Sequence, residues 1–238
     1  MLKEALQYIV GLRAPEIKEI NGQTYSDKEL SRISYNPKAD SLHVSTLTSL
    51  VDYLHSGTDT LAEKMIAHIV SPTTVVLISM LDSERQREKM VTVSAEVPSF
   101  QYGRYMGHEE FLIALQSKFV PNCDRELLLK FAGTVENGTI AQYGDDGVTQ
   151  KATVKTGIAS KGDAVVPNPV KLCPYRTFIE VEQPESAFIF RMRQDNCSGV
   201  ECAIFEADGG AWKNAAMKAI KEYLELKLQD IPGLTIIS

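Results

Sequence analysis

A chain of 238 residues with 44% hydrophobic and 24% charged residues is long enough to bury a core without disulfides or a structural metal. This composition excludes a collagen-like chain, a coiled coil and wholesale disorder. The net charge of −6 argues against a protein whose main task is to coat duplex DNA, because such proteins usually carry a positive excess.

The first predicted elements are a helix and a hairpin. Apolar residues recur at helical spacing from Leu2 to Val10, and Gly11 closes this helix. Asn21-Gly22, between two short extended pieces, favours a tight hairpin turn.

A second helix and a meander follow. Leu47–Leu54 has apolar residues at i, i+3, i+4 and i+7, with Ser45 or Thr46 available as the N-cap and Gly57 at its end. Period-2 alternation then predicts three antiparallel strands, because only short breaks separate them. The predicted strands are Lys64–Val70, Thr73–Leu81 and Lys89–Val97.

The second half of the chain begins with two predicted helices, His108–Val120 and Asp124–Ala132. A hairpin is expected from Thr139–Tyr143 and Val148–Ile158, followed by a loop over Ala159–Pro169. Three further segments read as strands. They are Thr177–Val181, Ser186–Arg193 and Val200–Glu206.

The clearest predicted element is the last helix, Ala211–Leu228, which Asp208 can cap and Pro232-Gly233 ends. Leu234–Ile237 is expected to supply an edge strand. The apolar stripe of the helix is predicted to contain Trp212, Ala216, Ala219, Ile220, Tyr223, Leu226 and Lys227.

Together these elements predict an α+β fold, mainly antiparallel sheet with helices packed on one face and a long C-terminal amphipathic helix. Two α+β subdomains, residues 1–100 and 101–238, would meet near Phe100–Gly107. One continuous domain is the alternative.

The sequence indicates no compartment other than the cytoplasm. No apolar stretch approaches the ~20 residues of a membrane helix, and the first residues lack the pattern of a secretion signal. The four cysteines form no CxxC pair and have no histidine at ligand spacing. We therefore expect buried, reduced thiols and no contact with a membrane.

Motifs for catalysis or metal binding are missing from the sequence. The four histidines form neither HxH nor HExxH, and no GxSxG elbow is present. We therefore expect no catalytic residue, no metal and no cofactor. Glu180 and Glu182, on one side of a predicted strand, are typical of a solvated face, although paired carboxylates also suit a nuclease.

Basic and aromatic residues collect in one region. Single-strand binders combine basic strands with aromatic side chains that stack on bases. The alternative is a sheet with a buried Phe face and a solvated Arg and Lys face, which the alternation around Ile189 favours. The region contains Lys151, Lys155, Lys161, Lys171, Arg176, Arg191 and Arg193, with Tyr175, Phe178, Phe188 and Phe190.

Two glycine-containing segments precede helices. Gly103–Gly107 surrounds Arg104, and Asp208-Gly209-Gly210 precedes Lys213, where free N–H groups could meet an anion. The Asp208 carboxylate competes for the same groups as a cap. The candidate ligand-binding residues are Arg104, Arg176, Arg191, Arg193 and Lys213.

Several segments, taken in order, resemble the YfdQ-like proteins of phages and prophages. The resemblance implies a phage accessory protein of unknown function and supplies no catalytic residues. The segments are Thr46–Leu54, His108–Phe111, Asp124–Glu136, Val166–Glu182 and Phe188–Arg193.

We therefore expect a non-enzymatic phage protein that acts by binding during infection, either to a host or defence protein or to a small anionic nucleotide. Self-association is also expected, because open sheet edges pair readily. The alternatives are a single-stranded nucleic-acid handling factor in replication or recombination, a cryptic nuclease or nucleotide hydrolase, and a virion structural protein.

Overall fold

The computed structural model describes residues 2–11, 15–29, 38–59, 61, 63–134, 143–145, 150–156, 160–166, 168–195 and 199–238. They form the predicted α+β structure, in two compact units, Met1–Ala39 and Asp40–Ser238. The first unit contains α1 (Leu2–Gly11), β1 (Ile17–Ile20) and β2 (Gln23–Ser26). The predicted hairpin is confirmed: Asn21 and Gly22 both have positive φ, at 53° and 75°, which a two-residue turn of this type requires.

The second unit holds the remaining helices and strands. In chain order they are β3 (Leu42–Val44), α2 (Leu47–Ser56), β4 (Met65–Ser71), β5 (Thr74–Ser79), β6 (Lys89–Ser94), β7 (Met106–Gly107), α3 (His108–Lys118), α4 (Cys123–Thr134), β8 (Tyr143–Asp145), β9 (Gln150–Thr156), β10 (Ser160–Val166), β11 (Val170–Leu172), β12 (Ser186–Asp195), β13 (Gly199–Glu206), α5 (Ala211–Lys227) and β14 (Leu234–Ile237).

One sheet has five strands in the order β14-β4-β5-β6-β3. The predicted antiparallel meander is confirmed, but both edge strands pair in parallel, β14 with β4 and β3 with β6. Alternation along a strand does not encode the direction of its neighbour, so the sequence could not reveal this. Met65, Ala67 and Ile69 are buried on one face of β4, against apolar side chains of α2 and α5.

The caps of α2 agree with the predictions. The Thr46 side chain accepts a hydrogen bond from Ser49 N at 3.1 Å, and Gly57 ends the helix with φ 59°.

A second sheet has the order β11-β12-β13-β7 and packs on α3 and α4. Phe188, Phe190 and Met192 of β12 are buried beneath these helices, whereas Ile189 and Arg191 are half-buried on the other face. The predicted sheet with a buried Phe face is thus confirmed.

The third sheet has the order β10-β9-β8. The predicted loop over Ala159–Pro169 is wrong, because β10 pairs with β9 along its whole length. β8 pairs with β9, as the predicted hairpin requires, while residues 139–142 and 146–149 lie outside the described residues.

The predicted strand Thr177–Val181 is also wrong. This segment is a turn closed by a hydrogen bond from Val181 N to Phe178 O, and buried Gln183 holds it. Gln183 Oε1 accepts from Arg176 N and Thr177 N, and its Nε2 donates to Phe178 O and Val181 O. A side chain that satisfies four backbone groups replaces the ladder that a strand would need.

α5 buries Ala216, Ile220 and Leu224 on the five-stranded sheet. Leu226, predicted in the buried stripe, is instead 67% exposed, and Lys227 is exposed as well. The predicted edge strand is confirmed as β14. Gly233 precedes it with φ 75°, and a Cβ at this position would lie 1.9 Å from the Glu63 carbonyl oxygen.

A subdomain boundary near Phe100–Gly107 stays a prediction. α5 and β14, which follow this segment in the chain, nevertheless pack on β4, which precedes it. Within the described residues, none of the helices combines the length and apolarity that crossing a membrane requires.

Candidate ligand-binding groove

An open groove of about 380 Å³ lies between α3 and the preceding segment. Ligand sites are usually concave and several hundred Å³ in volume. The groove is lined by Ser99, Phe100, Gln101, Arg104, Tyr105 and Met106 on one side and by Glu110, Ile113, Ala114, Ser117 and Lys118 on the other.

The α3 wall is one stripe of the helix, because its five residues follow at i, i+3, i+4, i+7 and i+8. Ala114 is buried at the floor, whereas Ile113 is 59% exposed at the rim. The opposite stripe, with Phe111 and Leu115, packs on the four-stranded sheet. The helix is therefore held by one face and presents the other to the groove.

The other wall is an extended segment anchored to β13. Gly103 N donates to Ile204 O at 2.8 Å, and Met106 of β7 pairs with Cys202 of β13. Phe100 packs edge-on against Phe119, with ring centroids 5.2 Å apart. These contacts fix the segment at a set distance from α3.

Both basic groups of the groove have neutral partners. Arg104 Nη1 donates to Gln101 Oε1 at 2.7 Å, and Lys118 Nζ donates to Ser99 O at 2.7 Å. Glu110 is the one carboxylate among the described residues that line the groove. Two cations face one anion here, on a chain whose net charge is −6. The lining therefore has a local positive excess that favours an anionic ligand.

Tyr105 links the groove to the solvated face of β12. The Arg193 guanidinium lies 4.1 Å from the centroid of the Tyr105 ring, and Arg193 Nε donates to Glu201 Oε2 at 2.7 Å. Sequence reasoning named Arg104 and Arg193 separately, and in the structure Tyr105 contacts Arg193 and lines the groove together with Arg104. Such stacking holds the ring in place at the groove wall.

Arg176 belongs to a different environment, which we call the Arg176 cluster: Arg176, Ser186, Glu206, Asp208 and Trp212. Its guanidinium contacts Glu206 Oε1 at 3.0 Å, Ser186 Oγ, and the Trp212 ring with a centroid distance of 3.9 Å. Arg176 is 7% exposed, and its Nε has no partner among the described residues. Two of its five N–H donors thus pair with Glu206 and Ser186, and Asp208 Oδ2, 4.0 Å from Nη2, supplies a second counter-charge.

Burial and charge shift the pKa values in this cluster. Burial lowers the pKa of Arg176, although nearby Tyr102, Asp208 and Glu206 oppose that effect. Burial alone would raise the pKa of Asp208, but hydrogen bonds from Ser186 Oγ, Gly210 N and Trp212 N lower it below its usual value. Asp208 thus accepts from N–H groups at the start of α5, as predicted, although Gly210 occupies the N-cap position itself.

Burial, with a smaller contribution from Glu206, raises the pKa of Tyr102 to about 12 against the opposing charge of Arg176. The Tyr102 ring stacks on Phe188 with centroids 5.5 Å apart. This tyrosine therefore faces the cluster, while its neighbours Gln101 and Arg104 face the groove.

The remaining basic candidates lie apart. Half-buried Arg191 donates to Phe190 O at 3.0 Å, and exposed Lys213 lies 6.0 Å from the Trp212 ring. Lys171 pairs with Glu185 at 3.2 Å. The side chains of Lys151, Lys155 and Lys161 lie outside the described residues. As ligand-binding residues, Arg104, Arg176, Arg191, Arg193 and Lys213 stay predictions.

The candidate nuclease carboxylates do not lie on a strand. Glu180 Oε1 accepts from Thr48 N at 3.1 Å, at the start of α2, whereas Glu182 is exposed. Glu180 therefore stabilises a helix N-terminus. Among the described residues, no three His, Cys, Asp or Glu side chains are grouped to hold a metal ion.

The prediction of buried thiols is right for one cysteine and wrong for another. Cys202 is fully buried, and burial raises its pKa to about 12, whereas Cys123 is exposed and Cys173 is intermediate. All three are free thiols, as expected, and the fourth cysteine, Cys197, lies outside the described residues.

Sequence reasoning missed Lys118 and the groove itself. The signal was present in the spacing from Glu110 to Lys118, which marks a second, mixed face on α3. A pattern of this kind shows which residues share a face but not what lies opposite, so the wall at Ser99–Met106 could not be foreseen.

Comparisons with protein-family models, with curated proteins and with solved structures found no match. The resemblance to YfdQ-like phage proteins therefore stays a prediction.

Proposed function

We propose that this protein acts by binding rather than by catalysis, and that the groove between α3 and Ser99–Met106 takes a small anionic nucleotide. One observation carries the proposal: Arg104 and Lys118 reach the same groove, and each donates a hydrogen bond to a neutral oxygen. An anion would add charge-assisted hydrogen bonds to both groups. The resemblance to YfdQ-like proteins adds the setting, an accessory role in the cytoplasm of an infected bacterial cell.

The remainder of the groove suits the rest of a nucleotide. Phe100 and Tyr105 offer aromatic surface, while Gln101, Ser99 and Ser117 offer polar groups for a sugar or a base edge. Glu110 would disfavour a ligand that places a second negative group at the N-terminal end of α3. We therefore expect nucleoside monophosphates to bind more tightly than triphosphates.

The proposed site does not extend to a single strand of nucleic acid. Three aromatic residues that would stack on bases, Phe178, Phe188 and Phe190, are at most 1% exposed. The single-strand hypothesis stays a prediction, without support from these side chains.

Thermal stability and calorimetry with a panel of nucleoside mono-, di- and triphosphates test the proposal. A ligand at 100 times its Kd raises the free energy of unfolding by about 2.7 kcal/mol. The Arg104→Gln/Lys118→Gln variant should bind the same ligand with a Kd at least tenfold higher. Its stabilisation by the ligand should fall accordingly.

The matched control is Arg87→Gln/Lys227→Gln, which makes the same charge change at exposed sites outside the groove. Arg87 also donates to a neutral oxygen, Ser79 O, at 2.9 Å. The proposal fails if no nucleotide binds at millimolar concentration, or if the groove variant binds as well as the control. A short single-stranded oligonucleotide in the same panel tests the alternative.

A further inference from the structure

The outer edge of β14 is one of the two open edges of the five-stranded sheet, the other being that of β3. β14 pairs with β4 on one side, and no described strand pairs with the other. The strand, Leu234–Ile237, contains no charge and no proline, which are the usual means of protecting an edge. Its length of four residues limits how much pairing it can offer.

A groove of about 550 Å³ lies along one side of α5, here called its edge side, and reaches Ser238, the residue that follows β14. Tyr223 lies on the opposite side of α5, across its buried stripe from the groove. Its hydroxyl oxygen lies 3.5 Å from that of Thr48 in α2. The edge side of α5 therefore faces away from α2. The groove is lined by Asn214, Met217, Lys218, Lys221, Glu222, Glu225 and Ser238.

The charges along this side of α5 are ordered. Lys218 and Lys221 come first, and Glu222 and Glu225 follow, with Lys218–Glu222 and Lys221–Glu225 distances of 3.7 and 3.9 Å. Both pairs are largely exposed, so each is worth little within one chain. An antiparallel copy of the same helix would place its glutamates beside these lysines and its lysines beside these glutamates.

We propose that a second copy of this chain docks here. The β14 strands of two copies pair antiparallel about a two-fold axis, which continues the sheet from one copy to the other. Because α5 packs over both β4 and β14, two strand spacings separate the helices of the two copies, or ~10 Å. That is close to the 8–10 Å at which helices pack side by side.

The interface is short and polar, so the dimer is weak and sensitive to salt. Exposed ion pairs are screened as ionic strength rises. Light scattering should therefore give a mass near twice 26.4 kDa at high protein concentration and low salt. The mass should fall toward that of one chain on dilution or on addition of salt.

Two charge variants test the arrangement. Lys218→Glu/Lys221→Glu makes the edge side of α5 wholly acidic, and Glu222→Lys/Glu225→Lys makes it wholly basic. Each variant alone should be monomeric because like charges face each other, whereas a one-to-one mixture should recover the dimer. Lys89→Glu/Lys227→Glu, with the same charge change outside the groove, should dimerise as the native chain does.

Circular dichroism checks that each variant folds. If a double variant does not fold, the fourfold exchange that combines both pairs of substitutions restores the ion pairs within the helix and should still dimerise. The proposal is overturned if the native chain stays monomeric up to near-millimolar concentration. It is also overturned if both double variants dimerise alone, or if the mixture does not differ from its components.

Discussion

The Arg176 cluster and the groove at Arg104 each contain an arginine near aromatic side chains, but the two arginines differ in burial and in their hydrogen-bond partners. Arg176 is 7% exposed and contacts Glu206, Ser186 and an aromatic ring, whereas Arg104 is exposed with one neutral partner. Both arginines precede a structured segment and lie near aromatic residues in the sequence. Burial and acidic partners decide which one serves the fold and which one remains available to a ligand.

The comparison shows that a basic residue near aromatic residues does not by itself indicate a binding site. A buried charge must be paired, so the carboxylates around Arg176 are part of the fold. An exposed arginine with an amide partner costs the fold little and keeps its charge for an anion.

The largest effect is expected from Arg176→Met, which leaves Glu206 and Asp208 without their cation. Breaking a buried ion pair costs about 3–5 kcal/mol of unfolding free energy, and we expect a loss toward the lower end because the Glu206 side chain is 41% exposed. Arg193→Met is the matched control, with a loss of about 1 kcal/mol or less, because Arg193 is exposed. Urea denaturation of both variants measures the difference, and equal losses would contradict the distinction.

Gln183→Met should cost about 2–4 kcal/mol, since it leaves the Arg176 and Thr177 N–H groups and the Val181 carbonyl without the Gln183 side chain, whereas Phe178 O keeps its hydrogen bond from Val181 N. Glu182→Met, at the exposed neighbouring position, should change stability by less than about 0.5 kcal/mol. Chemical denaturation compares the two. A small loss at Gln183 would show that the turn does not depend on its side chain.

A pH effect is expected from Tyr102, whose folded pKa is about 12 against 10.0 in the unfolded chain. Because the folded pKa is raised, its contribution to stability is complete below pH 10 and is lost as the pH rises toward 12. This rise of the Tyr102 pKa from 10.0 to about 12 corresponds to at most about 2.7 kcal/mol of unfolding free energy, and partial contact with solvent reduces this value. Tyr102→Phe should flatten the stability profile between pH 10 and 12.

Tyr53, whose pKa burial and a hydrogen bond to Asp59 also raise to about 12, is the comparison for that experiment. It lies on α2, so Tyr53→Phe leaves the Arg176 cluster intact. Profiles of the native chain and both variants separate the two tyrosines. If the fall in stability between pH 10 and 12 is unchanged in Tyr102→Phe, the ionisation of Tyr102 does not cause it.

The smallest effect on stability is expected from Arg104→Gln. The side chain is exposed and its amide partner can bind water instead, so the free energy of unfolding should change by less than about 0.5 kcal/mol. A loss comparable to that of Arg176→Met would show that Arg104 also belongs to the fold. Thermal unfolding of the two variants side by side decides this.

Sequence reasoning predicted most helices and the hairpins because their signals are local. Thr46, Gly57 and Asn21-Gly22 are recognised by their chemistry at one position, and the alternation of β12 separates its buried phenylalanines from Arg191. What failed depends on distant partners. Thr177–Val181 has strand-like residues, yet Gln183 ties it into a turn.

The candidate site was predicted less well, for the same reason. Arg104 was named from two flanking glycines, but Lys118, fourteen positions later, joins it only because the chain turns between β7 and α3. Arg176 could not be assigned to the buried cluster without Glu206 and Asp208, which reach it from the end of β13 and beyond.

The parallel pairing of β14 with β4 also sets the order in which the chain can fold during translation. β4 is among the first strands of its sheet to be synthesised, yet its outer neighbour, β14, follows only after all the other strands and helices of the unit. Until β14 leaves the ribosome, β4 is itself an uncovered edge, open to pairing with other chains. A product terminated before Leu234 would keep this defect permanently, so aggregation or proteolysis would distinguish it from a chain that contains β14.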